Sequence, residues 1–371
     1  MQSIAGSLAK MKHMKLTRRR VLQGVGATAA TALLQSTPLR RVRAASARSL
    51  KVSTFGGYFE RMFAERVYPA FTKATGIAVQ SIEQPSGSQF LLQLAAANKA
   101  GKPPMDVGCI IDVDVLRGRA LNLWRTFDQT KIPNLSRLLP DLASKPGAGL
   151  DNVAAMSWYM TLVVNPNEIN PLPDSWTVLW AKHLSAWGIQ PGSESVIFEI
   201  AANVFFGGND ILMSKAGIDK VIAKIAQIKP NVKLWWQDEG TMQTALINDE
   251  VIGGIYFNDT AQTMIKNGTL VRSIFPKEGA VQSTNYWCQP SASSKLEEAQ
   301  QYINFCSTPE AQQLIARFVG SAPVMDRHQL NLTDQEFATV SSLTKPIYAA
   351  TEARFKFTDY MEQQFTTMLT T

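Results

Sequence analysis

The sequence predicts an α/β protein built on a mostly parallel sheet, and three observations predict it. Short runs rich in Val and Ile alternate with segments whose apolar residues recur at helical spacing, which is the pattern of βαβ units. Glycine and proline clusters punctuate those runs where elements should end. The chain has 371 residues, 45% apolar and only 18% charged, so it can bury a sizeable core and is long enough for two domains. A disordered or fibrous chain is excluded.

Residues 50–54 read as the first strand, followed by Gly56-Gly57. Phe59, Phe63, Val67, Ala70 and Phe71 then fall at helical offsets; Pro69 should kink or break that helix near its end, and Gly76 is a cap. Residues 77–82 alternate like a second strand. The pattern recurs with a helix over 90–100, a Gly101-Lys102-Pro103-Pro104 stop and a strand over 107–113. Residues 124–150 are proline-broken and irregular, and 153–164 resume as a long apolar strand where we place the first crossing between lobes.

A second α/β segment follows: a helix around 176–187, a loop at 191–194, a helix from Ser195 to Gly207-Gly208, a helix over 215–229, a strand at 232–236 and a helix around 241–248. The strand over 251–257 should cross back. Its Gly253-Gly254 pair suits either hinge freedom or close packing. Helices are then expected at 259–267, across Leu296, Ala299, Ile303 and Cys306, and from Pro309 to Gly320.

The net charge of +7, from 37 basic against 30 acidic residues, at first suggests nucleic acid. Nine of the basic residues, from Lys10 to Arg43, precede Arg48 in a stretch without Asp or Glu; the remainder holds 28 basic and 30 acidic residues. Such a body offers no basic field to a phosphate backbone, so no nucleic-acid partner is expected. The leader runs from a basic start through Thr17-Arg18-Arg19-Arg20-Val21-Leu22 into weakly apolar residues 21–34 and then Ala45-Ser46-Ala47. That order reads as an export signal cleaved near Ala47, and its paired arginines resemble a twin-arginine signal. Its apolar run is shorter than the roughly 20 residues that cross a bilayer. The expected location is the periplasm.

Cys109, Cys288 and Cys306 are too few and too widely spaced for a disulfide framework and read as core thiols, with one pair possible. There is no G-x-S-x-G, H-E-x-x-H or Walker loop, and Gly24 and Gly26 lie in the leader. His183 and His328 alone remain after cleavage, and each suits a surface position. No catalytic residue, metal site or cofactor is expected.

Phe55-Gly56-Gly57-Tyr58 after the first strand, Tyr256-Phe257-Asn258 at the crossing strand, and Asn285-Tyr286-Trp287 with Pro290 carry a resemblance. So do Pro276-Lys277-Glu278-Gly279-Ala280, Glu297-Glu298-Ala299, and Asn304-Phe305 through Pro309-Glu310-Ala311. From residue 50 to about 324 the chain resembles the bacterial periplasmic solute-binding proteins of ABC importers, and among them the spermidine/putrescine-binding group. The resemblance implies a two-lobed, type II binding protein with a mixed, mostly parallel sheet in each lobe and hinge crossings. It divides the chain into a signal peptide at 1–47, lobe 1 at 48–154 and 258–325, lobe 2 at 155–257, and a C-terminal helical segment at 326–371 packing across the lobes. It also implies a monomer that closes on a small-molecule solute and docks onto the permease subunits.

Carried onto this chain, the resemblance implies an aromatic platform of Phe55, Tyr58 and Phe257, with cation–π attraction to an amine ligand; by residue type each is equally a packing residue. Relatives hold the amine with a carboxylate where this chain has Asn285, and a second acidic position aligns with Ser195, beside Glu194. A buried dication with neither acid is costly. Asp112, Asp114, Asp238, Glu239 and Asp259, all near strand ends facing the crevice, could compensate. Asp238 and Asp259 also suit helix N-caps and first-turn acids, so Asp112 is the acid expected in the site. Ser88, Ser193 and Trp287 complete the expected ligand-binding set.

The leading expectation is capture of a small polar solute of the polyamine or amine type and its delivery to an ABC permease. A second is an anionic or zwitterionic solute held by Ser86, Gly87, Ser88 and the Gly192-Ser193 loop through hydroxyl and backbone donors. The alternative from another class is a periplasmic enzyme exported in folded form.

Overall fold

The computed structural model describes residues 48–85 and 88–371. The expected signal segment, Ser86 and Gly87 lie outside the described residues, as does the side chain of Ser88 at the start of the helix Ser88–Lys99. Ten strands, β1 (Ser49–Phe55), β2 (Ala78–Gln84), β3 (Val107–Ile111), β4 (Asn152–Val164), β5 (Trp187–Ile189), β6 (Val232–Trp235), β7 (Gly253–Phe257), β8 (Arg272–Ile274), β9 (Val281–Cys288) and β10 (Ile347–Tyr348), form one mixed sheet. Its main order is β2-β1-β3-β9-β4-β7-β5-β6, with β10 on β9 and β8 on β4.

The first βαβ unit forms as its pattern predicts. β1 pairs in parallel with β2 and β3, and Gly76 ends the intervening helix in the left-handed conformation, φ 71°. Pro69 does not end that helix. It sits in the first turn of the helix Tyr68–Thr75, directly after a wide π-helical stretch at Phe63–Val67. A proline lacks the amide that would close an α-turn, and the widened turn upstream accommodates the loss.

Two hydrophobic cores are built on the two ends of the sheet. One holds β1, β3, the first residues of β4 through Met156, and Tyr286, Trp287 and Cys288 of β9. The other holds Met160 to Val164 of β4, β5 and Val281 of β9. At about 3.3 Å per residue, the 13-residue β4 is long enough to serve both. At its middle, where Trp158 pairs with Ser283, the sheet narrows to β4 and β9, supported by the adjoining bridge from Ser157 to Ala322.

The return crossing is therefore β9, not 251–257. β7 pairs with the end of β4 in the second core, and the helix Asn258–Lys266 packs Ala261 and Met264 into that core. The reason lies in Gly253-Gly254. A Cβ on Gly254 would stand 1.9 Å from the carbonyl oxygen of Gly188, and one on Gly253 would stand 2.4 Å from that of Val163. These glycines permit close strand approach rather than bending.

The C-terminal residues touch both ends. Val340 joins the first core; Ala353, Met361, Phe365 and Met368 of the helix Thr351–Thr370 join the second. Cys109, Cys288 and Cys306 are buried and unbridged, and burial pushes each thiol well up, Cys306 to about 12. Among the described residues no helix is long and apolar enough to cross a membrane.

Candidate ligand cleft

A cavity of about 900 Å³ opens between the two core-building halves. Its first wall comes from the turn after β1. Gly57, φ 70°, redirects the chain so that Phe55 and Tyr58 border the same space. Phe55 packs edge-on against Phe59 with centroids 5.6 Å apart, while Tyr58 stays 55% exposed and donates its hydroxyl proton to the Phe318 carbonyl at 3.0 Å.

Across the cavity stand Glu239 and Asp259. Asp238, not Glu239, caps the helix Glu239–Ile247, accepting the Thr241 amide at 2.8 Å. Asp259 is a first-turn acid of the next helix and not its N-cap. That place in the helix Asn258–Lys266 is taken by Phe257, and Asp259 Oδ1 accepts only the neighbouring Thr260 amide, at 2.9 Å. The Asp259 carboxyl is half-buried and has no cation within 4 Å among the described residues. Desolvation pushes it up to about 6, and the Glu239 charge nearby adds to the rise.

Phe257, two residues before Asp259, packs its ring at a tilt 5.5 Å from Trp158 and 6.3 Å from Trp236. The Trp158 indole N–H donates to Asn285 Oδ1 at 3.3 Å, so Asn285 orients the tryptophan that supports Phe257. The far stretch of the cavity carries Lys266, which has no ion pair among the described residues, and Arg317, whose guanidinium meets Glu336 at 2.7 Å.

Phe257 and Asn285 stand behind the cavity without bordering it, and three further expected residues stand elsewhere. Trp287 is fully buried in the first core against Phe63 and Tyr302, centroids 5.9 and 5.1 Å away, because inward-facing β9 residues beyond Asn285 pass beneath the helices. Asp112 points to the opposite face of β9 and accepts Thr351 Oγ1 at 2.8 Å. Ser193 is held in a loop whose amide donates to Glu362 at 2.7 Å and whose carbonyl accepts Arg354 at 3.1 Å. The cleft thus gathers Phe55 and Tyr58 with Glu239 and Asp259. The last was legible only as an acid just past a strand end, a position shared with ordinary caps.

A two-lobed α/β body with a polar and aromatic cavity between its halves defines a binding protein for small solutes. Residues 67–341 match the model of the bacterial extracellular solute-binding protein family, and the chain belongs to it. It is 22% identical over 285 residues to a gamma-aminobutyric acid-binding protein of Pseudomonas aeruginosa, covering 76% of this chain and 78% of that one. It is 25% identical over 254 residues to the spermidine/putrescine-binding periplasmic protein of Escherichia coli, covering 67% and 71%. Its fold is similar to that of an ABC transporter substrate-binding protein from Bradyrhizobium japonicum, with a TM-score of 0.76 at 17% identity over 87% of this chain and 99% of that one.

Proposed function

We propose that this solute-binding protein captures a small amine-bearing solute in the cleft and presents it to an ABC permease from the periplasm, after export directed by residues 1–47. The observation that carries the proposal is Asp259: a desolvated carboxylate without a counter-charge, bordering the same cavity as exposed Tyr58. An ammonium neutralises such a group and regains hydrogen bonds there. Phe55 and Tyr58 supply ring faces for the cation and its alkyl chain. Glu239 makes a second negative position, so two acids replace the one missing at Asn285. The names of the gamma-aminobutyric acid- and spermidine/putrescine-binding relatives support an amine.

Lys266 on the same cavity favours one second reading, an ω-amino acid whose amine meets Asp259 and whose carboxylate meets Lys266. Calorimetric titration with putrescine, spermidine, 4-aminobutyrate and glutarate separates the two. An amine reading requires binding by at least one of the first three and its loss in Asp259→Asn. Preference for 4-aminobutyrate, lost in Lys266→Met, selects the zwitterion; binding of glutarate alone, or turnover of any of the four, defeats both.

A further inference from the structure

We propose that a second cavity, separate from the cleft, binds a small organic monocation through its primary ammonium group. This cavity holds about 330 Å³, the lower end of the range for small-molecule pockets. It is walled chiefly by Asp112, Asp141, Lys145, Gln282, Tyr286 and Tyr348. Strand alternation separates it from the cleft: Gln282 and Tyr286 stand on one face of β9 and Asn285 on the other. No residue lines both cavities.

The charge and the open hydrogen-bonding positions identify the occupant. Two carboxylates against one ammonium leave the wall with a single negative charge. Asp112 is 5% exposed; its oxygens accept the Val113 amide at 2.7 Å and the Thr351 hydroxyl at 2.8 Å, and no cation stands within 4 Å among the described residues. A buried carboxylate in that setting has lone pairs left and no cation in direct contact, the Arg354 guanidinium acting on it only at longer range. Lys145 reaches Asp112 only through a hydroxyl: its ammonium donates to Thr351 Oγ1 at 3.1 Å, that hydroxyl donates to Asp112, and the ammonium lies 5.8 Å from the Tyr286 ring centre. Gln282 is also 5% exposed, no protein group among the described residues hydrogen-bonds its carboxamide, and its polar atoms open onto the cavity, where an occupant can pair with them. The buried oxygens of Asp112 and Gln282, with exposed Asp141 at the rim, offer acceptors for the protons of a primary ammonium, and the rings of Tyr286 and Tyr348 line the room left for a short alkyl group.

Methylammonium chloride titrated calorimetrically into the full chain at constant ionic strength tests the site. Saturable binding is expected in the wild type and in Asp259→Asn, weakened at least about tenfold in Asp112→Asn and in Gln282→Leu. Gln282→Leu removes no hydrogen bond within the protein, and a melting temperature close to that of the wild type certifies its fold. Binding lost in Asp259→Asn but kept in the other two variants would assign the cation to the cleft and overturn the proposal. Equal competition by sodium or potassium chloride would overturn it in favour of an inorganic ion. Absence of saturable binding up to about 100 mM, where a millimolar site is filled, would overturn it outright.

Discussion

Arg354 Nε and Nη2 donate to the two carboxylate oxygens of Glu199 at 2.7 and 2.8 Å, with both side chains sealed from solvent. The remaining guanidinium donors reach the carbonyls of Ser193 and Ser195, and the Ala350 amide also donates to Glu199. The pair is bidentate and fully partnered, and it fastens the start of the C-terminal helix to the second half of the molecule. Removing one partner strands a charge. Arg354→Met should destabilise the protein by about 3–5 kcal/mol, and adding Glu199→Leu should recover most of that loss. Urea denaturation of the two variants beside the wild type measures both.

The raised Asp259 carboxyl makes ligand affinity depend on acidity. Only the ionised form attracts an ammonium, so amine binding should be at full strength above pH 7 and weaken as pH falls through about 6. The unliganded protein should show the opposite trend. A carboxyl that holds its proton more tightly when folded stabilises the fold below its unfolded pKa, and that contribution is lost as pH rises through about 6. Asp259→Asn should therefore raise the stability of the unliganded protein at pH 7 by about 1–2 kcal/mol, after allowance for its partial exposure. Titrations and melts across pH 5 to 8 check the two slopes.

Aromatic residues of the two kinds should respond in opposite ways. Tyr58→Ala should weaken amine binding about tenfold, near 1.4 kcal/mol, and change stability by less than about 1 kcal/mol, because the ring is largely exposed. Trp287→Ala empties a fully buried site and should cost about 3–5 kcal/mol of stability, with the affinity of the molecules that remain folded unchanged. Paired calorimetry and denaturation of both variants decide it.

Gly254→Ala should destabilise by about 3 kcal/mol or more, since the added methyl meets a backbone carbonyl, which cannot rotate away as a side chain can. Circular dichroism melts compare it with Gly240→Ala, where the nearest atom to an added Cβ is a side-chain oxygen 3.4 Å away.

The first βαβ units could be read from the chain because β1, β2 and β3 alternate or run apolar between glycine and proline stops. The helix expected around 176–187, by contrast, is a short 3-10 turn at Trp176–Trp180 followed by β5, and the short β8 and β10 left no readable pattern. Nor could the route of return be read. β7 and β9 are both apolar and flanked by turns, and which of them changes cores depends on the Gly188–Gly254 approach, a contact between residues 66 apart. Phe55 and Tyr58, expected together from the resemblance, border one cavity because the Gly56-Gly57 turn holds them. Asp112 and Asp259 border different cavities for a reason the chain does not display: both acids follow a strand, and only the sheet's alternation decides which face each serves. Sequence alone gives the acids, and pairing gives their sides.

Near Trp158 and Ser283 the sheet is a ribbon of two paired strands, each rooted in both cores. A joint of that kind turns by twisting, so opening of the cleft is taken up as added twist along the β4–β9 ladder beyond its irregularity between Ala154 and Met156, while the irregular residues 341–346 form a looser link between the cores. Such a ribbon behaves as a torsion spring. Its restoring torque is set by how tightly β4 and β9 pair, and residues that touch no solute can thereby govern how long one is held.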